Sequence, residues 1–304
     1  ARPPFAAPRR RAFSTRAETT ARNAADVRDL LRTRLSMTEA ELDRVERHQP
    51  AGARATVEPK LTWLQSRLEL DAAQLKKIVV RHPPLLLKSV ESMESSLDWL
   101  QRRLGLDEAR LRKMVLRLPA LLHYSIEDNI VPKLEWLQKR LDLNDSGLRK
   151  ILLRFPSLLS ASVEDNLAPT LDWLQTRLDL NDSGLRKIVL RFPSLLYYSV
   201  EDNMAPKLQW LQTRFQLEDA GLKMMVLRLP AVLGYSVEAN IQPKLGFFEE
   251  ELGLSPSDVR ASIVAAPNRL NYSLKTRFRP RLEVCRAAGV DASLVLSYAT
   301  IVDE

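Results

Sequence analysis

The sequence predicts an all-α fold: an α-solenoid of 37-residue repeats, each made of two helices and a short 3₁₀ turn. Two registers carry that prediction. Prolines recur at Pro83, Pro119, Pro156, Pro193, Pro230 and Pro267, in steps of 36, 37, 37, 37 and 37 residues. Trp63, Trp99, Trp136, Trp173 and Trp210, followed by Phe247, keep step with them. A single globular core needs no such register. A stack of equivalent units does, because each buries its apolar face on the next. Such a stack favours a long binding surface over an enclosed active site.

Residues 125–161 show how one repeat is written. Ser125 followed by Asp128 predicts a capping box that opens helix A, with Asp in the usual Glu place. Ser162/Asp165 and Ser199/Asp202 repeat it, and Ser89 and Ser236 hold the same slot more weakly. Ile126, Ile130, Leu134, Leu137 and Leu141 form one apolar helical stripe. Pro132 lies inside that stripe, as do Pro59, Pro169, Pro206, Pro243 and Pro280 in their repeats. Each predicts a kink, or a helix that restarts with proline near its first turn. Asn144 caps helix B, and Ser255-Pro256-Ser257-Asp258 spells the same cap with proline at the first helical position. Helix B is expected to bury Leu148, Ile151, Leu152 and Phe155 and to stop at Pro156, after which PSLLSAS makes the 3₁₀ turn.

The same grammar sets the domain organisation. Residues 1–25 are expected to be a leader, 30–50 a degenerate half repeat carrying only helix B, 59–271 six repeats, and 272–304 a closing half repeat. Repeats three and four share LNDSGLRK outright (143–150 and 180–187), which suggests duplication.

Net charge is +8, but five of the 46 basic residues lie in the first 16, where there is no acid. The remaining 41 against 38 acidic residues leave +3, so a nucleic-acid function has to rest on where the charges stand. The leader, rich in Arg, Ala, Ser and Thr, has the composition of an organellar transit segment. Arg11-Ala12-Phe13-Ser14 resembles a mitochondrial processing site. The expected destination is the mitochondrion; Phe5-Ala6-Ala7-Pro8 after a removed signal would instead indicate a plastid.

Ser199-Val200-Glu201-Asp202-Asn203, Pro206-Lys207-Leu208-Gln209-Trp210-Leu211 and Val226-Leu227-Arg228-Leu229-Pro230 together resemble the repeat of the mitochondrial transcription termination factor (mTERF) family. The resemblance covers residues 30–290. It implies a curved all-helical superhelix working in organelles, which binds DNA or structured RNA through a basic face. It implies a role in transcription, transcription termination, RNA maturation or ribosome biogenesis, and no enzyme activity.

One set of cations repeats in register. Six and two residues before successive ruler prolines stand Lys77/Arg81, Lys113/Arg117, Lys150/Arg154 and Lys187/Arg191. Each pair is i, i+4 on helix B and shares a face, so stacking is expected to turn the pairs into a phosphate-binding stripe. Repeat five keeps Arg228 but has Met224 in the lysine place; repeat six has Ala261 and Ala265. A cation in the last turn of a helix also stabilises that helix through its macrodipole, which is the competing explanation of the arginines. A secondary column, Arg67, Arg103, Arg140, Arg177 and Arg214, follows each tryptophan by four residues. Cation–π packing or pairing with Asp142 or Asp179 would explain it without a ligand. A third column, Lys60, Lys133, Lys207, Lys244 and Arg281, follows the second proline, and is interrupted by Ser96 and Thr170. The tryptophans are expected in the core, and Asn129, Asn166, Asn203 and Asn240 in a hydrogen-bonded ladder.

What is missing narrows the function further. His48, His82 and His123 fall in different repeats without ligand spacing, and Cys285 is the single cysteine, so no metal site or cofactor is expected. No phosphate-binding glycine loop or nucleophile–base pair is spelled out. No apolar run is long enough to span a membrane. The expected partners are organellar DNA or RNA, rRNA included. The alternative is a structural or protein-interaction subunit of a mitochondrial ribosome or other organellar assembly; neither reading involves a small-molecule substrate.

Overall fold

The structure, a computed structural model, describes residues 16–47 and 54–296. The leader's residues 1–15 and the chain from 297 on lie outside the described residues. All elements among the described residues are helical. The chain divides into two compact parts, before and after the Pro132–Lys133 bond.

The N-terminal part contains α1 (Arg16–Leu35), α2 (Glu39–Glu46), α3 (Arg54–Arg67), α4 (Ala72–Arg81), α5 (Val90–Leu104) and α6 (Glu108–Arg117). Ruler prolines Pro83 and Pro119 open the 3₁₀ turns Pro83–Leu87 and Pro119–Leu122, as expected. The leading repeat is fuller than a half. Besides α2 as helix B, capped by a complete Thr38–Glu41 box, it has α1 as its helix A. Val27, Leu30, Leu31 and Leu35 are buried along α1 at helical spacing. The expected leader boundary at residue 25 therefore falls inside α1.

Helix α7 (Val131–Leu141) crosses into the C-terminal part, which continues with α8 (Asp145–Arg154), α9 (Ala168–Arg177), α10 (Asp182–Arg191), α11 (Ala205–Phe215), α12 (Asp219–Arg228), α13 (Gln242–Gly246), α14 (Pro256–Ala265) and α15 (Arg279–Ala287). Within each part, successive B helices pack on one another: α2 on α4 and α4 on α6, then α8 on α10 and α10 on α12. Leu148, Ile151 and Leu152 are fully buried on α8, as are Leu185, Ile188 and Val189 on α10. Phe155 departs from expectation. It is the C-cap, only half-buried, with its ring edge-on to Tyr197 at 5.1 Å.

The second proline explains the ruler's one short step. Repeats three to six open helix A with a single π turn, at Ile126–Ile130, Val163–Leu167, Val200–Met204 and Val237–Ile241. A proline lies two residues beyond each turn, at Pro132, Pro169, Pro206 and Pro243. Proline has no N–H to donate and its ring crowds the carbonyl four residues back. A π turn takes up one extra residue and spaces that carbonyl away, as when the Val131 N–H bonds Ile126 O five residues back. Repeat two has Ser95 in place of this proline, opens on a plain α-helix, and is one residue shorter between cap and tryptophan.

The predicted caps are present in altered form. Ser125 Oγ accepts from Asp128 N at 3.2 Å, but the Asp128 carboxylate accepts from the Ser125 hydroxyl, at 2.8 Å. The shorter Asp pairs with the cap's side chain, where the Glu of a full box accepts from its backbone N–H.

Candidate nucleic-acid interface

Five columns of cations run through the repeats, and four of them are engaged within the protein. The helix-A lysines are the deepest. Lys133, Lys207 and Lys244 are only 9%, 8% and 5% exposed. Lys60, Lys133 and Lys207 donate to Leu86 O, Leu159 O and Leu233 O at 2.6, 2.7 and 2.6 Å, and Lys244 donates to Leu270 O. Each thus ties helix A to the 3₁₀ turn of its own repeat. Burial pushes all four ammonium groups below the ordinary lysine value. The expected asparagine ladder is absent. Asn203 Oδ1 and Asn240 Oδ1 accept instead from Lys207 and Lys244, at 3.1 and 2.7 Å, and the buried Oδ1 atoms of Asn129 and Asn166 have no partner.

The secondary candidates join one repeat to the next. Arg67 reaches Glu94, Glu108 and Asp98 at 2.8, 2.7 and 3.1 Å. Arg140 binds Asp172 and Gln175, Arg177 binds Asp219 and Gln212, and Arg214 binds Glu249. Arg103 is half-buried and engaged as well. The expected partners Asp142 and Asp179 are bound by a different column, because helix A points its Arg at the following helix A.

That other column escaped the sequence reading. It stands seven residues before the ruler proline, and four of its members grip the residue that ends helix A one repeat earlier, while Arg149 in the same place has no partner among the described residues. Arg112 binds Glu69 O and Oε2 at 3.2 and 2.8 Å; Arg186 binds Asp142; Lys223 binds Asp179; Arg260 binds Gln216. Glu69, Asp142, Asp179 and Gln216 have φ between 45 and 49°, a left-handed conformation unfavourable without glycine. The spacing of 43 or 44 residues between each cation and its partner was the available signal.

The two columns of the predicted stripe part company. Arg81 Nη1 donates to Leu116 O at 3.4 Å. Arg154 Nη1 donates to Leu190 O and Arg191 O at 3.0 and 2.8 Å, Arg191 Nη1 to Leu227 O and Arg228 O at 3.3 and 3.2 Å, and Arg228 Nη1 to Ala265 O at 3.1 Å. The arginines cap carbonyls at the C-terminus of the next B helix, the negative end of its dipole. The macrodipole explanation is thus met on the neighbouring helix. Arg117 is exposed and also engaged. Lys77, Lys113, Lys150 and Lys187 are all exposed, and their ammonium groups have no partner among the described residues. Lys77 and Lys113 lie in the N-terminal part, Lys150 and Lys187 in the C-terminal part. Lys150 edges a groove of about 670 Å³ between α8 and α10, with Asn144, Ser146 and Gly147 on its wall.

Among the described residues, no three His, Cys, Asp or Glu side chains could hold a metal ion together. No helix there is long and apolar enough to cross a membrane. A search of curated proteins finds no match. The sequence model of the family described as mTERF matches residues 51–144 and 138–300, a span that takes in every ruler proline and all the cation columns. That family consists of nucleic-acid-binding helical-repeat proteins. With the match running through nearly all the repeats, and each repeat folded as two helices and a proline-led turn, this chain is a member of the mTERF family.

Proposed function

We propose that the protein binds organellar nucleic acid, duplex DNA or structured RNA, through phosphate contacts of Lys77, Lys113, Lys150 and Lys187. It would serve organelle transcription, its termination, or RNA and ribosome biogenesis. The observation that carries this reading is selective exposure. In the other four cation columns every member but the half-buried Arg149 is engaged within the protein, while the helix-B lysines are exposed, unpartnered and repeated in sequence. A flexible ammonium on an exposed helix suits a phosphate backbone whose sequence it does not read. The arginines Arg81, Arg117, Arg154, Arg191 and Arg228 act as auxiliary contacts; in Arg81, Arg191 and Arg228 only Nη1 is committed to a carbonyl. The Arg- and Ser-rich leader favours the mitochondrion, with the plastid as alternative.

The test is a salt titration of binding to duplex DNA, single strands and structured RNA. For duplex DNA, Lys150→Glu with Lys187→Glu should flatten the dependence of log K on log salt by about 0.9 per lost contact. Unchanged binding to all three nucleic acids would refute the interface. Lysines are the right targets, since altering the arginines also strips the caps of neighbouring helices.

A second reading draws on one place. In the C-terminal part the lysine column continues as Met224, 47% exposed, and then Ala261. An apolar continuation of a cationic column suits a protein partner, as in a ribosomal or other organellar assembly. Loss of a co-purifying organellar protein on Met224→Glu, with nucleic-acid binding intact, would support it.

A further inference from the structure

We propose that repeat two holds a second anion site, on its helix-A side, for a phosphate group carried by a small molecule. The site is a polar cavity of about 580 Å³ between α5 and the residues that open the next repeat.

The cavity coincides with the repeat's departures from the common pattern. In repeats three to six the corresponding helix-A places hold Asn, then Pro, then Lys or Thr; here they hold Ser92, Ser95 and Ser96. Three bulky side chains have been replaced by serine along one wall. Ser96 stands where buried lysines elsewhere fill the space, and its hydroxyl merely returns to Ser92 O at 3.0 Å. Lys88 replaces the tyrosine that precedes the cap in four of the five following repeats.

The lining has donors without acceptors. The Lys88 ammonium and the Arg102 guanidinium have no hydrogen-bonded or ionic partner among the described residues. Trp63 Nε1 binds Glu94 of the next repeat at 2.7 Å, but Trp99 has Val131 in that place and its N–H has no acceptor. Ser95 is exposed on the same wall. Of the two lining acids, Asp98 is bound by Arg67 at 3.1 Å, which leaves Glu127 as the one opposing charge at the mouth. Burial, and then the nearby Lys88 charge, lower the pKa of the neighbouring His123. A cluster of cationic and neutral N–H donors with few acceptors fits a multiply charged oxyanion, and the volume admits a phosphate ester of nucleotide size.

The experiment is calorimetric titration of the full chain with inorganic phosphate and, separately, with a nucleoside 5′-monophosphate. Saturable binding at one site is expected. A free-phosphate site takes both equally; an ester site prefers the nucleotide. Lys88→Ala or Arg102→Ala should weaken binding about tenfold, since each removes a charge-assisted hydrogen bond. Ser96→Lys restores the repeat's lysine and should abolish binding by filling the cavity, although it adds positive charge. Tighter binding by Ser96→Lys, equal binding by Lys88→Ala and Arg102→Ala, or no saturable binding by the wild type would each overturn the proposal. Lys77→Ala with Lys113→Ala alters only helix B and should leave this binding unchanged, which separates the site from the nucleic-acid interface.

Discussion

Helix A and helix B each carry a lysine in register in four of the six repeats, and the two lysines have opposite fates. On helix A, Lys207 is 8% exposed and bonded to Leu233 O and Asn203 Oδ1. On helix B, Lys187 is exposed with no partner. Period and residue type are the same, so neither decides the role. The decisive difference is what lies opposite. The 3₁₀ turn folds back over helix A and presents a carbonyl that lacks a backbone donor. On helix B the Lys187 ammonium finds no such carbonyl among the described residues. Recurrence of a cation therefore signals function only after the acceptors inside the repeat have been accounted for.

Substitution should separate the two columns clearly. Lys207→Met leaves a buried carbonyl and an amide oxygen unpaired and should cost about 2–3 kcal/mol in urea unfolding. The deficit should widen at alkaline pH. The folded pKa of Lys207 is depressed by burial, so between that value and the ordinary one the unfolded chain binds more protons. The wild type then gains stability as pH rises through that window, and the methionine variant does not. A cost no larger than that of Lys187→Met would break the comparison.

Arginine staples lie between these extremes. Arg191→Ala uncaps the last carbonyls of α12 at an exposed site and should cost about 1 kcal/mol. A gain of similar size tests the helix-A side from the other direction. Repeat four has Thr170 where its neighbours have lysine, and Asn166 Oδ1 is buried without a partner. Thr170→Lys should supply that partner and raise the thermal midpoint, by about 1 kcal/mol in free-energy terms. A fall would mean that the space cannot admit the longer chain. The smallest expected effect is that of Lys150→Ala with Lys187→Ala, within about 0.5 kcal/mol of wild-type stability. The same pair should nevertheless lower the salt slope of duplex binding by about 1.8.

Much of the fold was legible because it depends on local chemistry. Pro156 and its equivalents stop a helix wherever they occur, and Ser125, Asn144 and Ser255 cap the next residues in line. Lys77, Lys113, Lys150 and Lys187 could be placed on an exposed face by counting. Their arginine companions could not be assigned the same way. The carbonyls that Arg154 caps lie 36 and 37 residues downstream, and a repeat read singly contains only its own helix end. The clasp of Asp179 by Lys223 was hidden for the same reason, since it joins two repeats and centres on a backbone conformation that no residue type announces. The role of the helix-A lysine could not be read from its own helix, because its partner is a main-chain oxygen 26 residues on.

The π turns give the ruler a finer graduation. A 37-residue step accompanies a second proline and a widened first turn; the 36-residue step into repeat two accompanies neither. Repeat length thus records the kind of helix that opens each repeat. From repeat two to repeat six the proline and the extra residue occur together or not at all, whereas in the first repeat Pro59 stands within the plain α-helix α3. A lone exchange of Pro206 for serine would leave repeat five with a surplus residue in its opening turn, and a lone deletion there would bring the proline ring closer to the carbonyl four residues back. Sequence comparison by substitution alone would score the paired change as two unrelated differences, although in repeats two to six the two together mark two ways of starting the same helix.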